Sequence, residues 1–426
     1  MANKTMNDKV YMQIAGLDIG NGCVKGIIGS NMGGETAIDI QSIAARRSSS
    51  RSHNGEIRTS ESEADSKIRD IFNYLDATYE SSCLNEEVEG RYFMGRHAME
   101  VGESQIIFDV GSGQKKSDQH LSVILTLGCI AGKALQDAWN TTKRLPDVIN
   151  VDVKVAAMAL PIEEYRDSRE IYANEYKKGS HKVTIHTFEQ DIVVNIVFDN
   201  VQVLAEGASA TYAIRAGGPD LVTKLIQNAN EASSQHIELT GEDIYEARAT
   251  MGVDIGEGTT NLPIYDLNGN FNADASTSIN NGYGVVLDAA IQEIGNTSLP
   301  FKNRKDLQEF LMNPLNIKMK SKQYAKVQKI VDGCIADFAK EIANVYQQNM
   351  RMYNTKVMVI YVYGGGATAM KYFLFNALVE KTRKLNGDMD AQPILYFDNP
   401  EARLLNRDGL YIAAKRIFEI MGGSFD

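Results

Sequence analysis

Two stretches of the chain share a pattern suited to holding phosphate beside a divalent cation. Asp18-Ile-Gly-Asn-Gly-Cys-Val-Lys25 and Asp254-Ile-Gly-Glu-Gly-Thr-Thr260 each follow an apolar run. Both place an acid, an isoleucine, a glycine, one variable residue and a second glycine in the same order, 236 positions apart (254 − 18). A glycine turn can aim several backbone N–H groups at an anion, and an acid at the strand end can hold a cation beside it. Gly256 and Gly258 are expected to take positive φ and let the backbone approach a ligand closely. Lys25, seven positions after Asp18, can bring charge to a β-phosphate. Taken singly, each stretch is also an ordinary hairpin, and Asn21-Gly22 is the strongest short-range hairpin dipeptide. Their recurrence points to two related halves facing one magnesium–nucleotide ligand.

Two further stretches could do chemistry. The run Val201–Leu204 reads as a strand ending in Glu206-Gly207-Ala208, ahead of a small-residue helix at Ser209–Arg215. A carboxylate placed there suits a base set over a pocket. It equally suits an acid stabilised by the dipole at a helix N-terminus, and spacing leaves both readings open. Gly364-Gly365-Gly366 separates a buried strand from a helix, so its backbone can pass against a flat ligand such as a base or ribose. His97 has no companion ligands and reads as structural.

These residues need elements to hold them. Apolar runs predict strands at Val10–Leu17, Gly26–Gly29, Val148–Leu160, Lys182–Ile185, Ile192–Phe198 and Lys356–Tyr363, while 91–110 reads as a strand and a turn. Helical periodicity predicts Asp118–Asn140, Glu163–Lys178, Val285–Ile294 and Ser321–Met352, the last with Val327, Val331, Phe338 and Ile342 facing inward. Asn399 to Gly409 reads as a turn and cap before a terminal helix, Leu410–Met421. The polar segment 41–67, rich in Arg and Ser, reads as a flexible loop. The segment 216–250, broken by Gly217-Gly218-Pro219, reads as a helical insertion.

The 426 residues carry 55 acids against 44 bases, a net charge of −11, with 43% hydrophobic residues. That is an ordinary globular composition, and the acidic balance argues against extensive direct contact with nucleic acid. Four scattered cysteines without a CxxC pair argue against a zinc site or disulfide framework and suit a reducing compartment. No signal peptide and no run of transmembrane length is read, so the expectation is a cytoplasmic protein.

Taken in order, these motifs resemble the actin superfamily, most closely the bacterial plasmid-segregation actins of the ParM type. Asp18–Lys25 is similar to the first phosphate motif and Val155–Pro161 to the first connecting segment. Asp254–Thr260 is similar to the second phosphate motif and Tyr361–Gly366 to the adenosine motif. Asn399-Pro400 through Asn406 and Gly409 are similar to the second connecting segment. The resemblance spans about 10 to 420, apart from 41–67 and 216–250. It implies an α/β actin-like fold of two domains, each a ribonuclease-H-like mixed sheet flanked by helices, with nucleotide in the cleft between them. Domain I would be 1–215 completed by 399–426, and domain II 216–398. Gly20, Asn21, Gly22 and Lys25 would hold the β-phosphate from one side, and Gly256, Gly258, Thr259 and Thr260 the phosphates from the other. Asp18 and Asp254 would hold Mg2+ through its water shell, Glu206 would orient the attacking water, and Gly364, Gly365 and Gly366 would line the nucleoside. Glu257 and Asn261 depart from the pattern of many bacterial relatives.

The function this implies is a filament-forming hydrolase of ATP or GTP that segregates plasmid DNA. Its partners would be further copies of itself and an adaptor on a centromere-like site, with DNA engaged only indirectly and no membrane. A small-molecule kinase shares the core but needs a substrate base, for which no candidate stands out. A chaperone ATPase would need a large domain after Gly366, where 60 residues remain (426 − 366). A division actin or cell-shape actin is the other cytoskeletal alternative. A membrane-tethered one would carry a basic amphipathic C-terminal helix, whereas Leu410–Met421 offers only Lys415 and Arg416.

Overall fold

The computed structural model describes residues 10–48, 60–109, 114–232, 236–295, 301–352, 356–387 and 391–425. The chain forms two compact units, Met1–Ala213 with Asn406–Asp426, and Ile214–Leu405. Each carries its own sheet and core, so two sheet-plus-helix domains are present.

Unit 1 opens with the hairpin β1 (Val10–Ile19) and β2 (Cys23–Ser30), followed by β3 (Gly34–Gln41) and β4 (Ala44–Arg46). The tip of the first hairpin is Asn21-Gly22, and Asp18 lies directly opposite Lys25. Next come α1 (Glu61–Arg69), α2 (Ile71–Tyr74), β5 (Asp76–Ser81), β6 (Gly90–Met94), α3 (Arg96–Glu100) and β7 (Gln105–Ile106). The segment expected to be a loop over 41–67 therefore contains a strand and the start of a helix, and residues 49–59 lie outside the described residues. Ser60 and Glu63 form a capping box, with the Ser60 side chain accepting from the Glu63 N–H and Glu63 accepting from the Ser60 N–H. That reciprocal cap starts a helix in a polar stretch with only Ala64 and Ile68 buried. The turn expected after residue 94 likewise contains a short helix.

The centre of unit 1 is α4 (Leu121–Thr142) packed on β8 (Val148–Leu160). By length and composition α4 could cross a membrane, contrary to expectation. It is instead almost wholly buried in this unit, with Lys133 and Asp137 paired inside it at 2.5 Å and Lys133 donating to Ser30 Oγ at the end of β2. Pro161 ends β8, then follow α5 (Ile162–Lys177), β9 (His181–Ile185), β10 (Ile192–Phe198) and β11 (Val201–Ala205). Along one edge β8 pairs in parallel with β1 over Asn150–Met158 of its thirteen residues. The other edge takes β10 over its first half and β11 over its second. Leu17 and Val203 consequently register with the same residue, Met158. The whole sheet has eleven strands.

The chain enters unit 2 within α6 (Ala210–Ala232), bent at Gly218, and continues through α7 (Gly241–Glu246). Val222, Leu225 and Ile226 of α6 are buried. The sheet of unit 2 runs β14 (Thr277–Ile279), β13 (Thr260–Leu262), β12 (Thr250–Ile255), β15 (Val359–Tyr363), β16 (Ile394–Tyr396). Pro263 ends β13, yet its carbonyl still accepts from the Gly252 N–H. Helices α8 (Tyr283–Gly295), α9 (Arg304–Met312), α10 (Pro314–Met319), α11 (Ser321–Met352) and α12 (Ala367–Leu385) complete it. All five β15 residues are buried, as a central parallel strand requires.

The last helix, α13 (Glu401–Ile420), starts nine residues before the position read from sequence, and the chain re-enters unit 1 within it. Gly409 marks a close approach rather than a cap. A Cβ there would lie 1.9 Å from the Ser209 carbonyl oxygen, and one on Gly16 of β1 would lie 2.3 Å from the Tyr411 nitrogen. Two glycines on facing backbones let this helix dock where side chains would hold it away.

Candidate functional site

In unit 1 the candidate residues gather at the carboxyl ends of parallel strands, where open α/β sheets bind ligands. Asp18 ends β1, and Glu206 follows β11 with its N–H donating to the Leu160 carbonyl at 2.7 Å. Lys25 faces Asp18 across the hairpin with its ammonium 3.4 Å from the carboxylate, and both side chains are largely buried. The tip is a tight turn in which the Gly20 N–H donates to the Cys23 carbonyl at 3.0 Å. Ser42 braces it, its hydroxyl donating to the Gly20 carbonyl at 2.5 Å and its N–H to the Gly22 carbonyl at 3.0 Å.

Sequence reading missed the cation at the centre of this group. Lys116, in a 3-10 turn over Lys116–Asp118, is buried and donates to Glu206 Oε1 at 2.5 Å. A lysine is almost never fully buried unless paired, so this one marks a built cluster. Burial works against its charge, but the Glu206 carboxylate, with Asp18 nearby, outweighs that and raises its pKa above the ordinary lysine value. Glu164 of α5 pins the turn by accepting the N–H groups of Lys116 and Ser117 at 2.8 and 2.9 Å. Asp18, Lys25, Lys116 and Glu206 thus bring two acids and two bases together. Gly207 takes φ +78°, the left-handed region that keeps Glu206 at the strand end before α6 turns.

In unit 2 the second hairpin repeats the first. Asp254 lies opposite Asn261, seven positions on, as Asp18 lies opposite Lys25. The Gly256 N–H donates to the Thr259 carbonyl at 2.9 Å, the counterpart of Gly20 and Cys23. Neither Gly256 nor Gly258 takes positive φ, contrary to expectation. The turn closes so tightly that a Cβ on Gly256 would lie 2.9 Å from the Thr259 carbonyl oxygen, and one on Gly20 2.8 Å from that of Cys23. Thr260 is fully buried and its hydroxyl has no hydrogen-bond partner.

The glycine run lies on the neighbouring strand, because Asp254 of β12 registers with Tyr363 of β15. Gly364 takes φ +93°, and a Cβ on it would meet Asp254 Oδ1 at 2.6 Å. Gly366 is tight against Tyr283 and Ile255, whereas Gly365 is exposed with open space at its Cβ position. Two of the three glycines therefore serve packing, and Gly365 alone leaves room for a ligand. From the first turn of α12 a cavity of 530 Å³ opens, lined by Asn228, Thr368, Tyr372, Phe375 and Tyr396 among others.

The two departing residues have local partners. Glu257 accepts from Arg304 at 2.6 Å, and Arg304 also grips Asp288 of α8 with both arms of its guanidinium. Asn261 accepts from the Ser278 hydroxyl at 2.7 Å. Among the described residues no group of three or more His, Cys, Asp or Glu could hold a metal, and none of the four cysteines is in a disulfide.

Residues 16–208 match the family described as actin like proteins, N-terminal domain, and residues 252–375 match that described as archaeal actin homologue MreB-like, C-terminal. No curated protein matches the chain. Among solved structures, the actin-like protein Alp7A is 16% identical with a TM-score of 0.62, over 97% of this chain and 99% of that one. Bacillus thuringiensis ParM with AMPPNP is 18% identical with a TM-score of 0.57, over 95% and 99%. Ta0583, an archaeal actin homologue, is 15% identical with a TM-score of 0.58, over 95% and 100%.

Proposed function

We propose that this chain, whose two halves match actin-like family models, is a cytoplasmic filament-forming nucleotide hydrolase that moves plasmid copies apart through an adaptor on the DNA. The observation that carries this reading is the repeated hairpin: one in each unit, with the same turn hydrogen bond and the same acid at the strand end. Each hairpin is a phosphate-binding turn for a nucleotide, ATP or GTP. Bacillus thuringiensis ParM, solved with ATP and with AMPPNP, supports a nucleoside triphosphate as ligand.

In this reading the turns Gly20-Asn21-Gly22 and Gly256–Thr260 hold phosphate oxygens through the N–H groups of Asn21, Gly22, Gly258 and Thr259, while those of Gly20 and Gly256 close the turns. Lys25 adds positive charge, and the unpartnered Thr260 hydroxyl is a donor in waiting. The donor set fits magnesium, which keeps several waters and takes one or two carboxylates rather than an all-protein cage. Asp18 and Asp254 would hold it through those waters, and when bound it would neutralise developing charge on the phosphates. Glu206, held by Lys116 at the end of β11, orients a water for attack on the γ-phosphorus and accepts its proton as the bond to the leaving diphosphate breaks. The Gly365 opening and the cavity beside α12 are the candidate place for the nucleoside.

Light scattering and pelleting with ATP, GTP, ADP and a non-hydrolysable analogue test the reading. Sedimenting polymer is expected with a triphosphate and its analogue, with disassembly after hydrolysis. If no nucleotide yields polymer, the filament reading fails.

A further inference from the structure

One stretch of unit 2 presents four exposed apolar side chains close together in sequence. Helix α10 contains no buried residue. Met312, Leu315, Ile317 and Met319, all within eight positions, are 82%, 60%, 49% and 80% exposed. Single exposed apolar residues are normal on any protein, but a contiguous group marks a contact surface. The segment is held firmly from beneath. Leu307 and Phe310 of α9 are buried, and the Phe310 ring packs on Phe301 and Tyr324 at 5.3 and 6.1 Å. The Asn313 side chain accepts from the Leu315 N–H, and the Asn316 amide donates to the Phe310 carbonyl. The apolar side chains are thus presented outward by a braced scaffold.

Charge narrows what can cover them. Residues 301–330 contain eight bases and two acids, Asp306 and Glu309, a net +6. The whole chain is −11, so the remainder is −17 (−11 − 6). Lys318, Lys320 and Lys322 border the apolar group, and among the described residues none of them has a carboxylate within ion-pair distance.

We propose that the outer face of α9 and α10, Met312 to Lys322, is an assembly surface that receives an acidic face of a second copy of this chain. The proposal rests on the polymer reading and says which surface builds the polymer. A second copy brings seventeen excess negative charges outside the patch, so long-range attraction steers it there. An anionic bilayer would attract the lysines but repel the rest of the same molecule. A basic patch meeting an acidic face elsewhere is not self-complementary. Such a head-to-tail contact does not close as a two-fold dimer, and where its rotation closes no ring it repeats into an open filament.

The test compares wild type with Met312→Asp/Met319→Asp and, separately, with Lys318→Glu/Lys320→Glu/Lys322→Glu. All of these side chains are on the surface, and circular dichroism and thermal melting check that both variants fold as wild type does. With ATP, the critical concentration for sedimentation should rise roughly tenfold or more in each variant, while ATP affinity stays within about twofold. Wild-type polymer should also weaken as salt is raised. If wild type sediments and both variants do so at the same critical concentration, the surface assignment is overturned while the polymer reading stands. If wild type never sediments, both fall. Vesicles of phosphatidylserine and phosphatidylcholine provide the last arm. Vesicle binding that the variants abolish, with polymerisation intact, would assign the patch to a lipid surface and overturn the proposal.

Discussion

Lys116 and Glu206, 90 residues apart in sequence, meet as a buried ion pair with Nζ 2.5 Å from Oε1. Removing one member of such a pair leaves the other charge uncompensated. Lys116→Met should therefore lower the unfolding free energy by about 3–5 kcal/mol, and Lys116→Met/Glu206→Leu should recover part of it. Urea denaturation measures both. A double variant as unstable as the sum of the two singles would show that the pair is not coupled. Because the folded-state pKa of Lys116 is raised, its contribution is fully present below 10.5 and is lost only as pH climbs through the folded value. The Lys116 contribution should be flat across the neutral range.

Removing the carboxylate itself addresses turnover. Glu206→Ala should leave nucleotide binding intact, slow hydrolysis by about 10²-fold or more, and make polymers last longer. Wild-type disassembly kinetics in that variant would remove Glu206 from the reaction.

Lys25→Ala tests the first hairpin. Loss of its ammonium should weaken triphosphate binding by about tenfold or more, read by titration with a fluorescent ATP analogue. An unchanged affinity would leave Lys25 as a partner of Asp18 and nothing more.

Gly409→Ala probes the docking of α13. On helix propensity alone the change should stabilise by about 1 kcal/mol. The 1.9 Å approach to the Ser209 carbonyl predicts the opposite sign, a loss of roughly 1–3 kcal/mol or more. A higher melting temperature would refute the close contact.

Asp65 gives a pH prediction in the acid range. Its carboxylate accepts from the Trp139 indole at 2.9 Å and from Lys143 at 3.2 Å, bonds that lower its pKa to about 2. A lowered carboxylate stabilises the fold above its unfolded value of 3.8 and loses that effect as pH falls through about 2. Asp65→Asn should therefore be less stable than wild type at neutral pH, with the gap narrowing from 3.8 downward. The one tryptophan of the chain, Trp139, reports both unfolding curves by fluorescence. A gap independent of pH would separate Asp65 from this linkage.

Much of the fold was legible because its determinants are local. The Asp18–Lys25 hairpin is closed by seven-residue spacing, and α11 matches Ser321–Met352 because its apolar stripe repeats every turn. The helix inside the polar 41–67 segment carried a readable signal, the Ser60–Glu63 capping box, masked by the lack of apolar residues around it. The sequence by itself determined the two hairpins, the central strands and the order of motifs, since turn chemistry and period act between near neighbours. Only the tertiary structure decided that Lys116 meets Glu206 and that Gly409 and Gly16 admit a helix. Those outcomes depend on partners 90 or more residues away, and no local pattern encodes which surfaces the fold brings together.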